Sequence, residues 1–182
     1  RRFGSSRMTK SSSPLEGNAA ERVAALTPEN PCQSGGRKPR LLIVGAGMMG
    51  REHIRVSQLL GWADVQGIVD PDGGSLEWAC TDWRLLTDAP LTIYRDLSEA
   101  CSDDAVDAIV IATPNHTHRD VLHAVATSHK PVLLEKPMAT TLADAMDIVN
   151  LARDYPAVIQ LGMQYRFKAQ YCLLYTSPSP RD

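Results

Sequence analysis

Three glycines directly after the first apolar run have the spacing of a phosphate-binding turn. They lie in the run LLIVGAGMMG, where an apolar strand, a G-x-G-x-x-G turn and a helix are expected in that order. The first glycine permits a tight turn, the second lets a pyrophosphate approach the backbone, and the third lets the helix pack against the strand. Free N–H groups at the helix N-terminus favour phosphate. The predicted cofactor contacts in this turn are Gly45, Gly47, Met48, Met49 and Gly50.

An acidic residue ends the second apolar run, twenty residues after Gly50. In a dinucleotide site, Asp70 would accept hydrogen bonds from the adenosine ribose hydroxyls and repel a 2′-phosphate. No arginine follows directly, since the next residues are Pro71 and Asp72. The pattern therefore predicts NAD and disfavours NADP. The alternative interpretation is that Asp70 only starts a turn before proline.

Polar residues also follow the fourth apolar run, in the segment ATPNHTH. Ligands of open parallel sheets lie outside the carboxyl ends of the strands, so Thr113, Pro114, Asn115 and His118 are predicted to reach a cofactor there. The alternatives are an ordinary turn, a helix cap and a packed histidine. His116 and His118 lack an evident third ligand, so no metal site is predicted.

The segment Glu135-Lys136-Pro137 follows the fifth run and is expected at the same edge of the sheet. A lysine there can donate a hydrogen bond to a substrate hydroxyl and stabilise negative charge as the proton leaves. The alternative is a surface lysine at a strand-to-loop junction. Taken alone, the residue favours that second interpretation.

Short apolar runs alternate with amphipathic stretches from residue 41 to about residue 161, which is typical of βαβ units. Continuous apolar runs indicate strands with both faces covered by helices. Strands are predicted at 41–44, 65–69, 91–94, 108–112, 132–134 and 158–161. The predicted fold class is α/β, with a doubly wound parallel sheet of the Rossmann type.

The helices between these strands are predicted from capping pairs and apolar stripes. Asp96 with Glu99, and Thr141 with Asp144, have the spacing of a helix N-cap and its partner. The stripes expected to be buried are Met49, His53, Val56 and Leu60; Val121, Leu122 and Val125; and Leu142, Met146, Val149 and Ala152.

Composition divides the chain into four parts. Residues 1–38 are rich in Ser, Pro, Gly and Asn and are expected to be disordered. Residues 39–157 are predicted to form the Rossmann domain, and residues 158–171 to begin a second α/β domain. In residues 172–182 a Ser/Pro stretch ends the alternation, which suggests an irregular tail of foreign origin. The first residue is Arg1, so either Met8 is the start or the sequence is a fragment.

The overall composition favours a globular protein in a reducing compartment. Hydrophobic residues make up 43% of the 182 residues, and the formal net charge is −2, so neither nucleic acid nor a membrane is predicted as a partner. No apolar run is long enough for a bilayer span, and no secretory h-region is present. The cysteines form no C-x-x-C pair, which argues against a zinc site or a disulfide framework and favours the cytoplasm. They are Cys32, Cys80, Cys101 and Cys172.

The ordered set GAGMMG, Asp70, ATPNHTH, LLEKPMA and LGMQYRF resembles the glucose–fructose oxidoreductase/inositol dehydrogenase/MocA (Gfo/Idh/MocA) family. The resemblance covers roughly residues 40–167, and ATPNxxH with EKP is far more specific than the glycine pattern. It implies a Rossmann domain followed by an α/β domain with an open, mostly antiparallel sheet. It also implies a tightly held nicotinamide cofactor, a sugar-like or polyol-like substrate, hydride transfer between them, and a homo-oligomer.

The resemblance also implies roles for single residues. Lys136 would belong to the catalytic set, and Asn115, His118 and Glu135 would lie near the cofactor. Gln164 and Arg166 would lie on the substrate side of the active site, in the segment that enters the second domain.

Members of the family usually supply a catalytic D-x-x-x-H pair from the second domain, and this chain contains no such pair. The 182-residue chain alone is therefore predicted to be inactive, whereas its complete parent would be active. Two alternatives stay open: a dinucleotide-binding sensor without chemistry, and an NAD-dependent glycoside-cleaving enzyme of the same family. A third interpretation is an incomplete fold that is unstable in isolation.

Overall fold

The computed structural model describes residues 37–167, with side chains described as far as Tyr165. The described sheet and helices lie in one compact unit that ends at Gln164. The predicted N-terminal segment, except for its last two residues, and the predicted irregular tail lie outside the described residues.

Six strands form one sheet in the order β3-β2-β1-β4-β5-β6, and every neighbouring pair is parallel. This is the strand order of a dinucleotide-binding fold, and it confirms the predicted doubly wound sheet. The third strand is shorter than predicted, because it is an edge strand with only two paired residues. The strands are β1 Arg40–Val44, β2 Asp64–Val69, β3 Thr92–Ile93, β4 Ala108–Ile111, β5 Val132–Leu134 and β6 Ile159–Leu161.

Within residues 37–167, five α-helices cover both faces of the sheet. They are α1 Met48–Leu60, α2 Gly73–Leu86, α3 Leu97–Ser102, α4 His118–Ala126 and α5 Leu142–Asp154. Successive residues of β1 point to opposite faces. Ile43 packs in a core cluster with residues of α1 and α2, whereas Leu42 and Val44 pack in the cluster of α3, α4 and α5. None of the described helices is both long and apolar enough to cross a membrane.

Both predicted capping pairs are confirmed. The Asp96 carboxylate accepts a hydrogen bond from Glu99 N at 2.9 Å, and the Glu99 carboxylate accepts one from Arg95 N at 2.9 Å. Thr141 Oγ1 accepts a hydrogen bond from Asp144 N at 3.1 Å. These bonds fix the first residues of α3 and α5, because the first turn of a helix has N–H groups without a partner in the helix.

The predicted stripe of α5 was wrong. Leu142, Met146 and Val149 are 79%, 54% and 42% exposed, while Ile148 is buried and Leu151 packs against the core. Two apolar rows run along this helix, and periodicity alone does not choose between them. The helix turns the row of Ile148 and Leu151 toward the sheet.

The predicted stripe of α1 was wrong at its end, because Leu60 is exposed. The buried residues of α1 are Gly50 and Ile54. The close approach of α1 to the preceding turn at Gly50 sets the rotation of the helix. The stripe of α4 is confirmed, with Leu122 and Val125 buried and Val121 partly buried.

Candidate functional site

A cleft of about 780 Å³ lies at the carboxyl ends of β1, β2 and β4, where the strand order reverses. Such a switch point is the usual ligand site of an open α/β sheet. The residues that line the cleft come from the glycine turn, the end of β2, the segment before α3 and the segment after β4. They include Gly45, Gly47, Met48, Met49, Asp70, Thr113 and Pro114.

The three glycines of the turn differ in how much space a side chain would find. Gly45 has a φ of 96°, and a Cβ there would lie 2.8 Å from the Ala112 carbonyl carbon and oxygen. A Cβ on Gly50 would overlap the Gly45 carbonyl oxygen. A Cβ on Gly47 would meet no atom within 4 Å, and Gly47 begins α1 without a side-chain cap. The first N–H groups of α1 therefore face open space, where they can bind an anionic group.

Asp70 forms the turn that one interpretation of the sequence predicts, and its ribose contact stays a prediction. Its Oδ1 accepts a hydrogen bond from Asp72 N at 2.8 Å, which closes the turn before α2. Its Oδ2 accepts one from Ala46 N at 2.7 Å, which ties the carboxylate to the glycine turn. A carboxylate has about four acceptor sites, so both oxygens can also accept from ribose hydroxyls.

Further carboxylates make this end of the cleft acidic. Hydrogen bonds from Ser75 lower the pKa of Asp72, and one from Glu99 N lowers the pKa of Asp96. Both residues line the cleft with Asp70, and the cation that lines it is Arg95. Three anions against one cation disfavour a second phosphate on the ribose.

The segment after β4 divides between the cleft and the interior. Thr113 and Pro114 line the cleft, but Asn115 is exposed and is not among its lining residues. His118 is fully buried. Its Nε2 lies 3.0 Å from the Thr113 carbonyl oxygen and its Nδ1 lies 3.0 Å from the Pro137 carbonyl oxygen. Both ring nitrogens face backbone carbonyls, and a neutral imidazole donates to one of them. The contact of His118 with a cofactor stays a prediction.

The segment after β5 places a buried carboxylate next to an exposed lysine. Glu135 is 7% exposed, and its carboxylate contacts His53 on one oxygen and Lys136 N on the other. The Lys136 side chain is exposed, and its ammonium makes no hydrogen bond or ion pair with another described residue. The Lys136–Pro137 peptide bond is cis. Neither Glu135 nor Lys136 lines the cleft, although both follow β5 at the same edge of the sheet.

The two predicted substrate-side residues lie in a short 3₁₀ turn, Gln164–Phe167. Gln164 is exposed, and its backbone N–H donates to Gly162 O at 3.0 Å. The side chain of Arg166 lies outside the described residues, so both roles stay predictions. Among residues 37–167, no three His, Cys, Asp or Glu side chains are grouped to hold a metal ion.

Sequence reasoning did not assign His53, Ser75, Arg95 or Asp96 to the site. His53 was expected only to pack, but its Nε2 lies 2.9 Å from Glu135 Oε1, although the two residues are 82 positions apart. No local pattern pairs residues at that separation. The other three line the cleft because the β2-to-α2 and β3-to-α3 turns meet there. Both turns follow predicted strands at the carboxyl edge of the sheet, and that position could have indicated these residues.

Comparisons with known proteins show the family of this chain. A family model described as an oxidoreductase family with an NAD-binding Rossmann fold, GFO_IDH_MocA, matches residues 39–163. Inositol 2-dehydrogenase of Leifsonia xyli is 36% identical over 136 residues, which are 72% of this chain and 38% of that protein. The rhizopine catabolism protein MocA of Rhizobium meliloti is 31% identical over 129 residues, which are 70% of this chain and 38% of that protein. The chain thus spans about 38% of the length of these relatives.

Solved structures are similar as well. Myo-inositol dehydrogenase from Lactobacillus casei, in complex with NAD(H) and myo-inositol, is 28% identical with a TM-score of 0.63, and the match covers 72% of this chain and 38% of that one. The WlbA dehydrogenase from Bordetella pertussis, in complex with NADH and UDP-GlcNAcA, is 27% identical with a TM-score of 0.66, and the match covers 77% and 41%.

Proposed function

Because this chain belongs to the Gfo/Idh/MocA oxidoreductase family, which has an NAD-binding Rossmann fold, we propose that it forms the NAD-binding part of a dehydrogenase for a polyol or sugar. The observation that carries the proposal is the uncapped first turn of α1 at Gly47, which opens on a cleft that Asp70 also lines. These groups suit the phosphates and a ribose of a dinucleotide.

The chain's own residues would bind and orient the reactants. The first N–H groups of α1 would hold the pyrophosphate, and Asp70 would accept hydrogen bonds from ribose hydroxyls. Lys136 Nζ would donate to the substrate oxygen and stabilise negative charge there as the hydroxyl proton leaves. NAD, when bound, accepts a hydride from the substrate carbon.

A polyol is the favoured substrate class because the relatives include inositol 2-dehydrogenases. Because β6 belongs to the Rossmann sheet, a second α/β domain would begin after it, with Gln164 and Arg166 on the substrate side. That domain would supply a D-x-x-x-H pair and the contacts of a homo-oligomer. Asn115, His118 and Glu135 would lie near the cofactor. A reducing cytoplasm suits the described cysteines, Cys80 and Cys101, which are free.

The experiment is NAD-dependent oxidation of a panel of polyols and sugars by the complete parent protein. Lys136→Ala should lower turnover at least about a hundredfold while NADH still binds. Lys38→Ala, which removes an exposed lysine at the opposite end of β1, is the control and should keep the wild-type rate. Full activity in Lys136→Ala would overturn the catalytic assignment.

A further inference from the structure

The carboxylate of Glu135 is the one acidic side chain among the described residues that is buried. A buried carboxylate is costly unless hydrogen bonds satisfy it. Glu135 Oε2 accepts from the backbone N–H of Lys136 at 3.0 Å, and Oε1 lies 2.9 Å from His53 Nε2. The carboxylate therefore joins the peptide group of the lysine to a side chain of α1.

His53 reaches this carboxylate from the helix that begins at the glycine turn. It lies one helical turn after Gly50, and its side chain is 23% exposed against 9% for that of Glu135. An ionised carboxylate only accepts hydrogen bonds, so with Glu135 ionised the contact requires a proton on His53 Nε2. Such a bond would be charge-assisted and partly shielded from water, and therefore stronger than a neutral bond at the surface.

The backbone on the other side of Lys136 is also held. The carbonyl of Pro137 faces His118 Nδ1 at 3.0 Å, and the second ring nitrogen of His118 faces the Thr113 carbonyl of the cleft wall. The anchors of this backbone are therefore the bond from the Lys136 N–H to Glu135 and, when His118 Nδ1 carries the ring proton, a bond to the Pro137 carbonyl. A lysine side chain is flexible, so the direction in which it leaves the sheet depends on these anchors.

We propose that His53 is a positioning residue for Lys136, acting through the buried carboxylate of Glu135. The inference rests on the proposed function, in which Lys136 contacts the substrate oxygen. It adds that the His53–Glu135 hydrogen bond connects α1, the helix after the glycine turn, to the backbone of Lys136. Without His53, the Glu135 carboxylate loses its partner and can turn to solvent, which releases the N–H of Lys136.

The test is amide hydrogen exchange, measured by NMR on the 182-residue chain without cofactor. His53→Met keeps a similar volume but removes the donor, and His53→Gln keeps a donor near the position of Nε2. In His53→Met the Lys136 amide should exchange at least about tenfold faster, since a hydrogen bond to a charged group is lost. The Glu135 amide, which donates to Ile111 O in the sheet, should keep its wild-type rate. His53→Gln should restore most of the protection of Lys136.

A matched control is offered by another histidine that contacts a carboxylate. His123 Nε2 lies 2.8 Å from Asp147 Oδ2 on the surface between α4 and α5, so His123→Met should leave the Lys136 amide unchanged. An unchanged Lys136 rate in His53→Met overturns the proposal. Equal acceleration of the Glu135 and Lys136 amides also overturns it, because His53 would then only stabilise the sheet.

Wild-type protein supplies a second measurement, which serves if His53→Met fails to fold. The nitrogen chemical shifts of the His53 ring should show a proton on Nε2, and a ring protonated only on Nδ1 would contradict the bond to Glu135. Titration of the same wild-type sample with NADH tests the proposed function separately. Absence of NADH binding would remove the proposed function, while the exchange rates would still decide whether His53 holds Lys136.

Discussion

At the scale of single residues, Gly47 and Gly50 belong to one turn but differ in the space around the Cβ position. Gly50 has no side chain because the Gly45 carbonyl oxygen occupies the place of its Cβ. Gly47 faces open space and has an ordinary backbone conformation, with a φ of −68°. The fold therefore requires a glycine at Gly50, whereas at Gly47 we expect that only a bound ligand requires one.

This difference predicts opposite effects of two alanine substitutions. Gly47→Ala should change the free energy of unfolding by less than about 1 kcal/mol but weaken NADH binding at least about tenfold, because its Cβ protrudes where the phosphates would lie. Gly50→Ala should lower the free energy of unfolding by about 2 kcal/mol or more, since backbone atoms must move. Urea denaturation and NADH fluorescence titration measure the two effects. Wild-type affinity in Gly47→Ala would contradict the placement of the phosphates.

We predict that the charge of Asp70 contributes to the preference for NADH over NADPH. Asp70→Asn keeps an oxygen for the Ala46 N–H, loses the acceptor of the Asp72 N–H and removes the charge. The ratio of NADPH to NADH affinity should rise about tenfold, which corresponds to the loss of one near-surface charge repulsion. Asp88→Asn, at an exposed position that does not line the cleft, should leave the ratio unchanged. Equal ratios in both variants would show that Asp70 does not select the cofactor.

At the scale of elements, the alternation of apolar runs predicted each strand among residues 37–167. The strands β1, β2, β4 and β5 are mostly buried, as expected of strands with helices on both faces, whereas the edge strand β3 is exposed. The rotation of the helices was harder to predict. In α5 the exposed row of Leu142, Met146 and Val149 is as apolar as the buried row of Ile148 and Leu151. Only the packing against α4 and the sheet decides between them. The contact between His53 and Glu135 escaped prediction for a related reason, since it depends on the orientation of α1 relative to the segment that follows β5.

The rotation of α5 predicts unequal costs for two neighbouring substitutions. Ile148 is 2% exposed, so Ile148→Ala should lower the free energy of unfolding by roughly 2–4 kcal/mol. Met146→Ala should change it by less than about 0.5 kcal/mol, because the Met146 side chain is mostly in solvent. Chemical denaturation of both variants compares them directly. A larger loss for Met146→Ala would mean that the helix is rotated as the sequence pattern suggested.

Asp107 joins the first residues of β1 and β4. Hydrogen bonds from the Arg37 guanidinium, and from the backbone and side chain of Arg40, hold its pKa well below the usual value. A carboxyl group with a lowered folded-state pKa stabilises the fold above its unfolded pKa of about 3.9. That contribution is lost as the pH falls through the folded-state value.

The corresponding variant is Asp107→Asn. At neutral pH it should lower the free energy of unfolding by about 1 kcal/mol, since most of the carboxylate's charged hydrogen bonds are lost at a partly exposed site. Thermal melts at several pH values should show a shallower loss of stability below about pH 4 than in wild type. A wild-type pH profile in the variant would show that Asp107 does not stabilise the strands in this way.

At the scale of the whole molecule, the described residues contain a cofactor cleft and one exposed lysine that is a candidate for polarising a substrate. They span about 38% of the length of the relatives that match. The sequence predicted the fold and the cofactor family because each motif is local and has a fixed relation to a strand end. The substrate is not specified by these residues.

The isolated chain should therefore bind cofactor without catalysis. Incubated with NAD and the polyols proposed above, the purified 182-residue protein should produce no NADH above the background rate, because no D-x-x-x-H pair is present in it. NADH absorbance over time measures this. If the purified chain produces NADH and the Lys136→Ala variant does not, the chain contains a complete catalytic set.

Calorimetric titration of the purified chain with NADH shows whether the cleft above Gly47 binds NAD. We expect saturable binding to one site per chain, weaker binding of NADPH, and at least about tenfold weaker binding of NADH by the folded Gly47→Ala variant. If a chain that melts cooperatively shows no saturable NADH binding, the cleft is not a dinucleotide site.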